Sequence, residues 1–557
     1  MLVKTILLLV VLATAAHCKP KKSSNDENGK TLSWPDKYHV DVTKYLTQAG
    51  LVEDVKIWRT SQESRIDYNN GAVKSFVTNK GRHDRRSHGN VYEIHPETHG
   101  LDHQNEIKCT VASRRRWSYG PQDILPDAED FQYVGEEKRG SLLCSKFVKE
   151  TKLDEYQILK ETVWASHNEK DDWFEPSRYE EERINTWNAN LNEYDIWEFE
   201  NFETDFNEKL YIDPSEYCSK AVELTEPIND EAVTKHLMFI DPDNQHHVDH
   251  VFRTYKKNYN KNYAAVQEHS MRRSIFQKNL RLIKAINRKN LGYKLAVNKF
   301  SDRTPEEMKR HMGLRRRPEG VKGLEFPYNS DKLNSQLETL PKEYDLRLEG
   351  IISPVQEQDV CGSCWTFGTT SAIEGAIARK NGGKLIRLSN QALVDCAWEF
   401  DAQGCQGGTD TAVYEWAKKY GMPKLADYGS YAANEGYCKI ANMTKTYKIK
   451  DYVDVTPNSI LALKVALIEQ GPLSVSIDAT DAFKMYNGGV FYDMTCENHP
   501  HALNHEVTLI GYGDHNGETF WIIKNSWGPE WGIDGYMHII ARDNNCGIMT
   551  EPTYVQV

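Results

Sequence analysis

The chain has 557 residues, of which 39% are hydrophobic and 27% charged, and a net charge of −12. That length points to about three or four domains, and the composition to a globular chain rather than a disordered one. The acidic balance excludes a general nucleic-acid or membrane-surface binder.

Residues 1–18 read as a signal peptide. Lys4 gives the positive start, Ile6 to Leu12 is a short apolar run, and Ala13 to Cys18 supplies small residues for cleavage. The run is too short to span a bilayer, and no later stretch is long and apolar enough. The expected setting is the secretory pathway, lysosomal or secreted, where disulfides persist. Residues 19–30 are a polar lead-in. Four of the eleven cysteines, Cys18, Cys109, Cys144 and Cys218, lie in this first part, and the sequence leaves their pairing open.

From there to residue 235 short alternating runs predict a mainly β domain. Arg65 to Tyr68 enters a tight turn at Asn69-Asn70-Gly71, and the runs at Val91–Ile94 and Ile107–Val111 alternate in the same way. The acid-rich, aromatic stretch 171–216 reads as a solvated face over a local core, with a docking surface as the alternative. His246, His247 and His250 cluster without the Cys or carboxylate spacing of a closed metal site, so neither metal nor other cofactor is expected.

Residues 251–312 turn helical. Glu268, Arg272, Phe276, Asn279, Ile283 and Asn287 fall on one helix face. Thr304-Pro305-Glu306-Glu307 is a helix start with Thr as cap. Residues 313–339, with Arg315-Arg316-Arg317, read as an exposed linker open to proteolysis. Then comes Gln358-Asp359-Val360-Cys361-Gly362-Ser363-Cys364-Trp365-Thr366-Phe367, in which a helix runs on from Trp365 and places Cys364 at its head. Downstream lie Asn504-His505-Glu506-Val507 and Lys524-Asn525-Ser526-Trp527-Gly528. Cys, His and Asn in that order are the parts of a thiolate–imidazolium hydrolase.

The helical face from Glu268 to Asn287 matches the Glu-Arg-Phe-Asn-Ile-Asn pattern of papain-family propeptides of the cathepsin L type. The Asn298, Phe300, Asp302 run resembles their second motif, with Ala296 where glycine is usual. Residues 340–557 resemble a whole papain-like catalytic domain, with Leu346 where tryptophan is common. The arrangement also resembles a subgroup of two-chain insect cysteine proteinases, named for 26 and 29 kDa subunits, which carry a long extra domain before the propeptide. The resemblance implies a multidomain chain: a mainly β N-terminal domain at 19–235, a helical inhibitory propeptide at 250–312, a linker with the activation cleavage at 313–339, and an α+β papain-like two-lobed fold at 340–557.

By the same resemblance, Cys364 and His505 form the catalytic ion pair. The helix dipole aids the thiolate, Asn525 orients the imidazole and Trp527 covers the pair. The Gln358 amide joins the Cys364 backbone N–H in an oxyanion hole. Cys361–Cys405, Cys396–Cys438 and Cys496–Cys546 are the implied disulfides. Gly407 and Gly408 form the edge that pairs with an extended peptide. Thr409, Asp410, Ser476, Leu503, Asn504 and Glu551 line the implied S2 pocket, with the Glu551 carboxylate at its floor as in cathepsin B, which implies Arg as well as apolar residues at P2. No insertion between Cys364 and Cys396 can supply an occluding loop, so an endopeptidase is expected. Its partners are protein and peptide substrates, its own propeptide, and the N-terminal fragment as a retained second subunit. Asn442-Met443-Thr444 is a glycosylation sequon. A binding protein that reuses the fold is the competing reading, and loss of the nucleophile would be its signature.

Overall fold

A computed structural model describes residues 30–47, 51–78, 90–99, 103–113, 120–139, 142–153, 157–186, 191–223 and 239–557. The expected signal peptide, Cys18, most of the polar lead-in and Trp187 lie outside them. The chain divides into two units, Met1–Asn290 and Leu291–Val557.

Alternation sets the strands of the first unit. Tyr38–Leu46 (β1) turns Tyr38, Val40 and Val42 inward, and Leu51–Arg59 (β2) does so with Val55 and Ile57, the period of a pleated strand. Ser64–Tyr68 (β3) and Val73–Thr78 (β4) are joined by a turn in which Asn69, Asn70 and Gly71 take φ of 51°, 55° and 81°. Asn and Gly accept that left-handed run. Next come Asn90–His99 (β5), His103–Ser113 (β6), Gln132–Arg139 (β7), Leu142–Lys152 (β8), Gln157–Asn168 (β9), Trp173–Asn185 (β10), Leu191–Glu203 (β11) and Ala221–Glu223 (β12). They make one 12-stranded sheet, ordered β12-β6-β5-β4-β3-β2-β1-β11-β10-β9-β8-β7. A large apolar core follows it from Tyr38 and Ile57 to Phe147, Trp197 and Phe199. The Cys109–Cys218 disulfide ties β6 to the chain just before β12.

The acid-rich stretch departs from the solvated face expected of it. Glu180 and Glu198 close on Arg178, and Glu181 closes on Arg281. Both guanidinium groups are largely buried, and a buried cation without an anion beside it is strongly destabilising. The acids therefore turn inward where the cations are.

Two helices complete this unit. Gln245–Asn258 (α1) starts at Asn244, whose side chain accepts from His246 N and His247 N, a helix cap. His247 turns inward, its Nδ1 accepting from Asp241 N. Among the described residues no group of three or more His, Cys, Asp or Glu is arranged to hold a metal ion. Val266–Arg288 (α2) packs Phe276 on Phe252 and Tyr255 of α1 and Met271 and Ile275 on Leu153. Its last turns bury charge. Arg281 reaches Asp243 at 2.8 Å, and Arg288 reaches Glu53 at 2.7 Å while stacking 3.4 Å from the Tyr68 ring centre.

In the second unit Pro305–Lys309 (α3) begins with a reciprocal cap. Thr304 Oγ1 accepts from Glu307 N, and Glu307 accepts from Thr304 N, as the Thr-Pro-Glu-Glu run predicts. Cys364–Lys380 (α4) is buried almost throughout. It lies against the strand His505–His515, and Gly368 permits the approach: a Cβ there would stand 3.0 Å from Glu506 Cγ and 3.2 Å from Val507 N. That strand belongs to a 10-stranded sheet in which Glu518–Lys524 and Leu473–Ile477 flank it and Thr553–Gln556 and Asp451–Asp454 follow. Tyr293–Leu295 adds a strand at one edge, antiparallel to Tyr486–Phe491. Asn390–Cys396 (α5) and Asp410–Lys419 (α6) share a second core with α4 through Trp365, Leu393, Tyr414 and Trp416. Cys361–Cys405, Cys396–Cys438 and Cys496–Cys546 are bonded, and Cys364 is free. Asn442 is exposed at the end of a short turn, Ile440–Asn442.

Candidate active site

Cys364 is the first residue of α4, so its sulfur sits where the helix's unpaired N–H groups and positive dipole end converge. His505 opens the neighbouring strand, and Asn525 follows directly after Glu518–Lys524. Asn525 Oδ1 accepts from Ser526 N at 2.8 Å, which fixes which atom of the amide is oxygen. The same oxygen lies 2.8 Å from His505 Nε2. That nitrogen therefore carries the proton, and Nδ1, buried and without a hydrogen-bond partner, keeps its lone pair. Trp527 is buried against the imidazole with ring centres 4.7 Å apart, shielding the His505–Asn525 bond from water.

Gln358 is fully buried. Its Oε1 accepts from Ser526 Oγ at 2.6 Å, so its amide N–H groups face the other way. They donate to Cys361 O at 2.9 Å and His311 O at 3.1 Å.

The chain before the catalytic half covers this site. Phe300 packs on Trp527 and His311, and Asn298 Nδ2 donates to Lys484 O at 2.7 Å. Gly313 N donates to Cys364 Sγ at 3.2 Å. Gly408 donates its N–H to Gly313 O at 2.9 Å, and its carbonyl accepts from Arg315 N at 2.9 Å. Leu314 runs parallel to Gly408 and donates to Asn504 O at 3.2 Å. Gly407 holds φ of 116°, and its missing Cβ leaves room for Gly313 O. The cover keeps the Cys364 and His505 side chains out of water. Burial, with Glu506 nearby, pushes the Cys364 thiol up to about 12, and burial pulls the His505 imidazole down to about 4. A low-dielectric surround disfavours the charged form of each group.

Beside the cleft, Arg317 reaches Asp454 at 2.8 Å and Asp410 at 3.1 Å. Asp410 also accepts from Thr553 Oγ1 at 2.9 Å. Glu551, half-buried, lies in the field of Arg317, Asp410 and Asp454, and burial raises its carboxyl above the usual range. Ser476 and Leu503 are buried, and Ser476 stands opposite Glu506 in the sheet. Sequence reasoning missed Asp454, Gly313 and Glu506. Only Glu506 left a trace, as a charged residue opening the otherwise apolar run Val507 to Tyr512.

Residues 340–556 match the papain family cysteine protease family, and residues 252–308 match the cathepsin propeptide inhibitor domain (I29). Cysteine proteinase 3 of Solanum lycopersicum is 37% identical over 304 residues, which is 54% of this chain and 83% of that protein. Pro-cathepsin H of Mus musculus is 34% identical over 304 residues, covering 54% of this chain and 89% of its own length. The solved digestive procathepsin L2 proteinase from Tenebrio molitor larval midgut superposes with a TM-score of 0.51 at 33% identity, covering 56% of this chain and all of that one.

Proposed function

The chain belongs to the papain family of cysteine proteases and is made as a zymogen with an I29 propeptide, and we propose that it works as an endopeptidase with Cys364 as nucleophile. The observation that carries this reading is the His505–Asn525 bond, whose tautomer leaves Nδ1 free to take the Cys364 proton once the cover is gone. The thiolate then attacks a peptide carbonyl, and Gln358 and the Cys364 N–H hold the oxyanion. His505 gives its proton to the leaving amine, and the thioester is hydrolysed by a water that His505 deprotonates.

Activation by a cut in 313–339 fits the buried state of the covered pair. An extended substrate on Gly407 and Gly408 fits the bonds those residues make to the chain's own segment. The core that α4, α5 and α6 share, together with the sheet against which α4 also lies, supports the two-lobed reading of 340–557. Arg at P2 is supported by Arg317, which sits beside Asp410, Asp454 and Glu551. The disulfide and core of the first unit support its survival as a second subunit. Among the described residues no helix is long and apolar enough to cross a membrane, and relatives named as cathepsins support a lysosomal or secreted setting. The test is peptide hydrolysis at acidic pH, blocked by a thiol-alkylating reagent. Activity that survives in Cys364→Ala refutes the reading.

A further inference from the structure

Four side chains from four elements meet behind the catalytic helix. Glu506 on the strand that His505 opens, Asn525, Thr370 on α4 and Asn390 at the head of α5 are each 3% exposed or less. Glu506 Oε2, Asn525 Nδ2, Thr370 Oγ1 and Asn390 Oδ1 are buried and make no hydrogen bond to protein. All four residues line one small void of about 10 Å³. Their other polar atoms are taken. Thr369 Oγ1 lies 2.6 Å from Glu506 Oε1, and Ser474 Oγ donates to the same oxygen. Asn525 Oδ1 holds His505 Nε2 and Ser526 N. Asn390 Nδ2 donates to Gln356 Oε1 at 3.3 Å.

The two other charged groups on the void's wall are bonded elsewhere. Lys524 Nζ donates to Ser353 Oγ at 2.9 Å and to Ser371 Oγ at 3.1 Å, and Glu374 Oε1 accepts from Leu388 N at 2.6 Å. Leaving four buried polar atoms unbonded is costly. The void has room for about one water molecule, and a buried water commonly makes about three hydrogen bonds and at most about four. Water offers two hydrogens and two lone pairs. Asn525 Nδ2 can only donate and Asn390 Oδ1 can only accept, while the Thr370 hydroxyl and the Glu506 carboxyl can do either. One water can therefore answer all four atoms.

We propose that this void is a water site and that Glu506, acting through its water, is a positioning residue for Asn525. Thr369 and Ser474 hold the carboxyl, so the water ties Asn525 Nδ2 to a fixed point on the strand that carries His505. With Nδ2 anchored on the void side, Oδ1 stays directed at His505 Nε2, and the imidazole keeps the tautomer that leaves Nδ1 to the thiol. Without that anchor the amide swings about its last bond and the imidazole turns with it. This rests on the peptidase reading above and adds to it a residue that acts on the reaction only through Asn525.

The test uses the processed enzyme. A high-resolution crystal structure should show an ordered water within hydrogen-bond distance of Asn525 Nδ2 and Glu506 Oε2, and a dry void overturns the proposal. With one peptide substrate, Glu506→Leu should lower kcat about tenfold with KM little changed. Glu506→Gln, whose amide can still bond the water, should recover to within about threefold of wild type. On an Asn525→Ala background, Glu506→Leu should lower kcat by less than about twofold more. An unchanged kcat in Glu506→Leu, or a loss that persists in full without Asn525, overturns the positioning role. If Glu506→Leu does not process, Thr370→Val takes one partner from the water. Its loss in kcat, about two- to fivefold, should likewise vanish on the Asn525→Ala background, and a loss that stays there overturns the role in the same way. A wild-type enzyme inactive on the peptide refutes the peptidase reading and the positioning role with it. An active wild type that fails these tests refutes this inference alone.

Discussion

The tightest fit in the cover is Gly313, and Gly313→Ala tests whether that fit is what silences Cys364. A Cβ on residue 313 would stand 1.7 Å from Gly362 O, 2.2 Å from Gly362 C and 2.7 Å from Gly362 Cα. All three are backbone atoms of the loop closed by Cys361–Cys405, so the loop cannot give way as a flexible side chain can. The segment must move outward by more than 1 Å, on the order of the gap between 1.7 Å and an ordinary contact. That displacement breaks three bonds: Gly313 N to Cys364 Sγ, Gly408 N to Gly313 O, and Arg315 N to Gly408 O. At about 0.5–1.5 kcal/mol each they sum to about 1.5–4.5 kcal/mol, which raises the open fraction roughly 10- to 2,000-fold. The assay is the rate at which a small alkylating reagent labels Cys364 in the uncut zymogen, with the intact chain length checked on a gel. Gly313→Ala should label at least about 10-fold faster than wild type. Equal labelling rates would show that the cover does not depend on this contact.

Two further predictions concern the first unit, and each is read by thermal unfolding of the intact chain. Glu53→Ala leaves the Arg288 guanidinium buried without its anion and should destabilise this unit by about 3–5 kcal/mol. Replacing Glu53 and Arg288 together by apolar residues should cost less than that single change. Asp195 is raised to about 6 by burial, with Glu181 adding to the shift. Its folded value thus lies above the ordinary carboxylate value, so its ionisation opposes folding at neutral pH, and the penalty fades as pH falls from above 6 toward 4. Asp195→Asn should therefore stabilise the unit at neutral pH by up to about 2–3 kcal/mol and have little effect near pH 4. A stabilisation that is the same at both pH values would contradict that assignment.

Local chemistry was legible in the sequence wherever a few neighbouring residues decide the structure. The Asn69-Asn70-Gly71 turn, the Thr304 cap and the position of Cys364 at a helix head each follow from adjacent side chains. Long-range pairing was not legible. The helix face from Glu268 to Asn287 reads as one amphipathic stripe, yet Arg281 and Arg288 on other faces of the same helix are buried against Glu181 and Glu53. Those partners are separated by 100 and 235 residues, and no periodicity links them. The pairing of β1 with β11 is equally remote from any local signal. Glu506 stayed hidden for a different reason: a single acid beside a histidine reads as a charge facing solvent until its oxygens are seen to be buried.

The 252–308 inhibitor segment is divided at residue 290, with α1 and α2 in the first unit and Tyr293–Leu295 and most of α3 in the second. If the chain is cut between residues 313 and 339, the inhibitor is no longer tethered to its target by the chain. Its effective concentration at Cys364 falls from the high value that a short tether enforces to its concentration in solution. Its helices stay ordered by Glu53, Glu181 and Leu153, so a second encounter does not have to fold them again. Silence in the processed enzyme thereby becomes a matter of dilution, and crowded vesicles should keep more of it inhibited than an open fluid does.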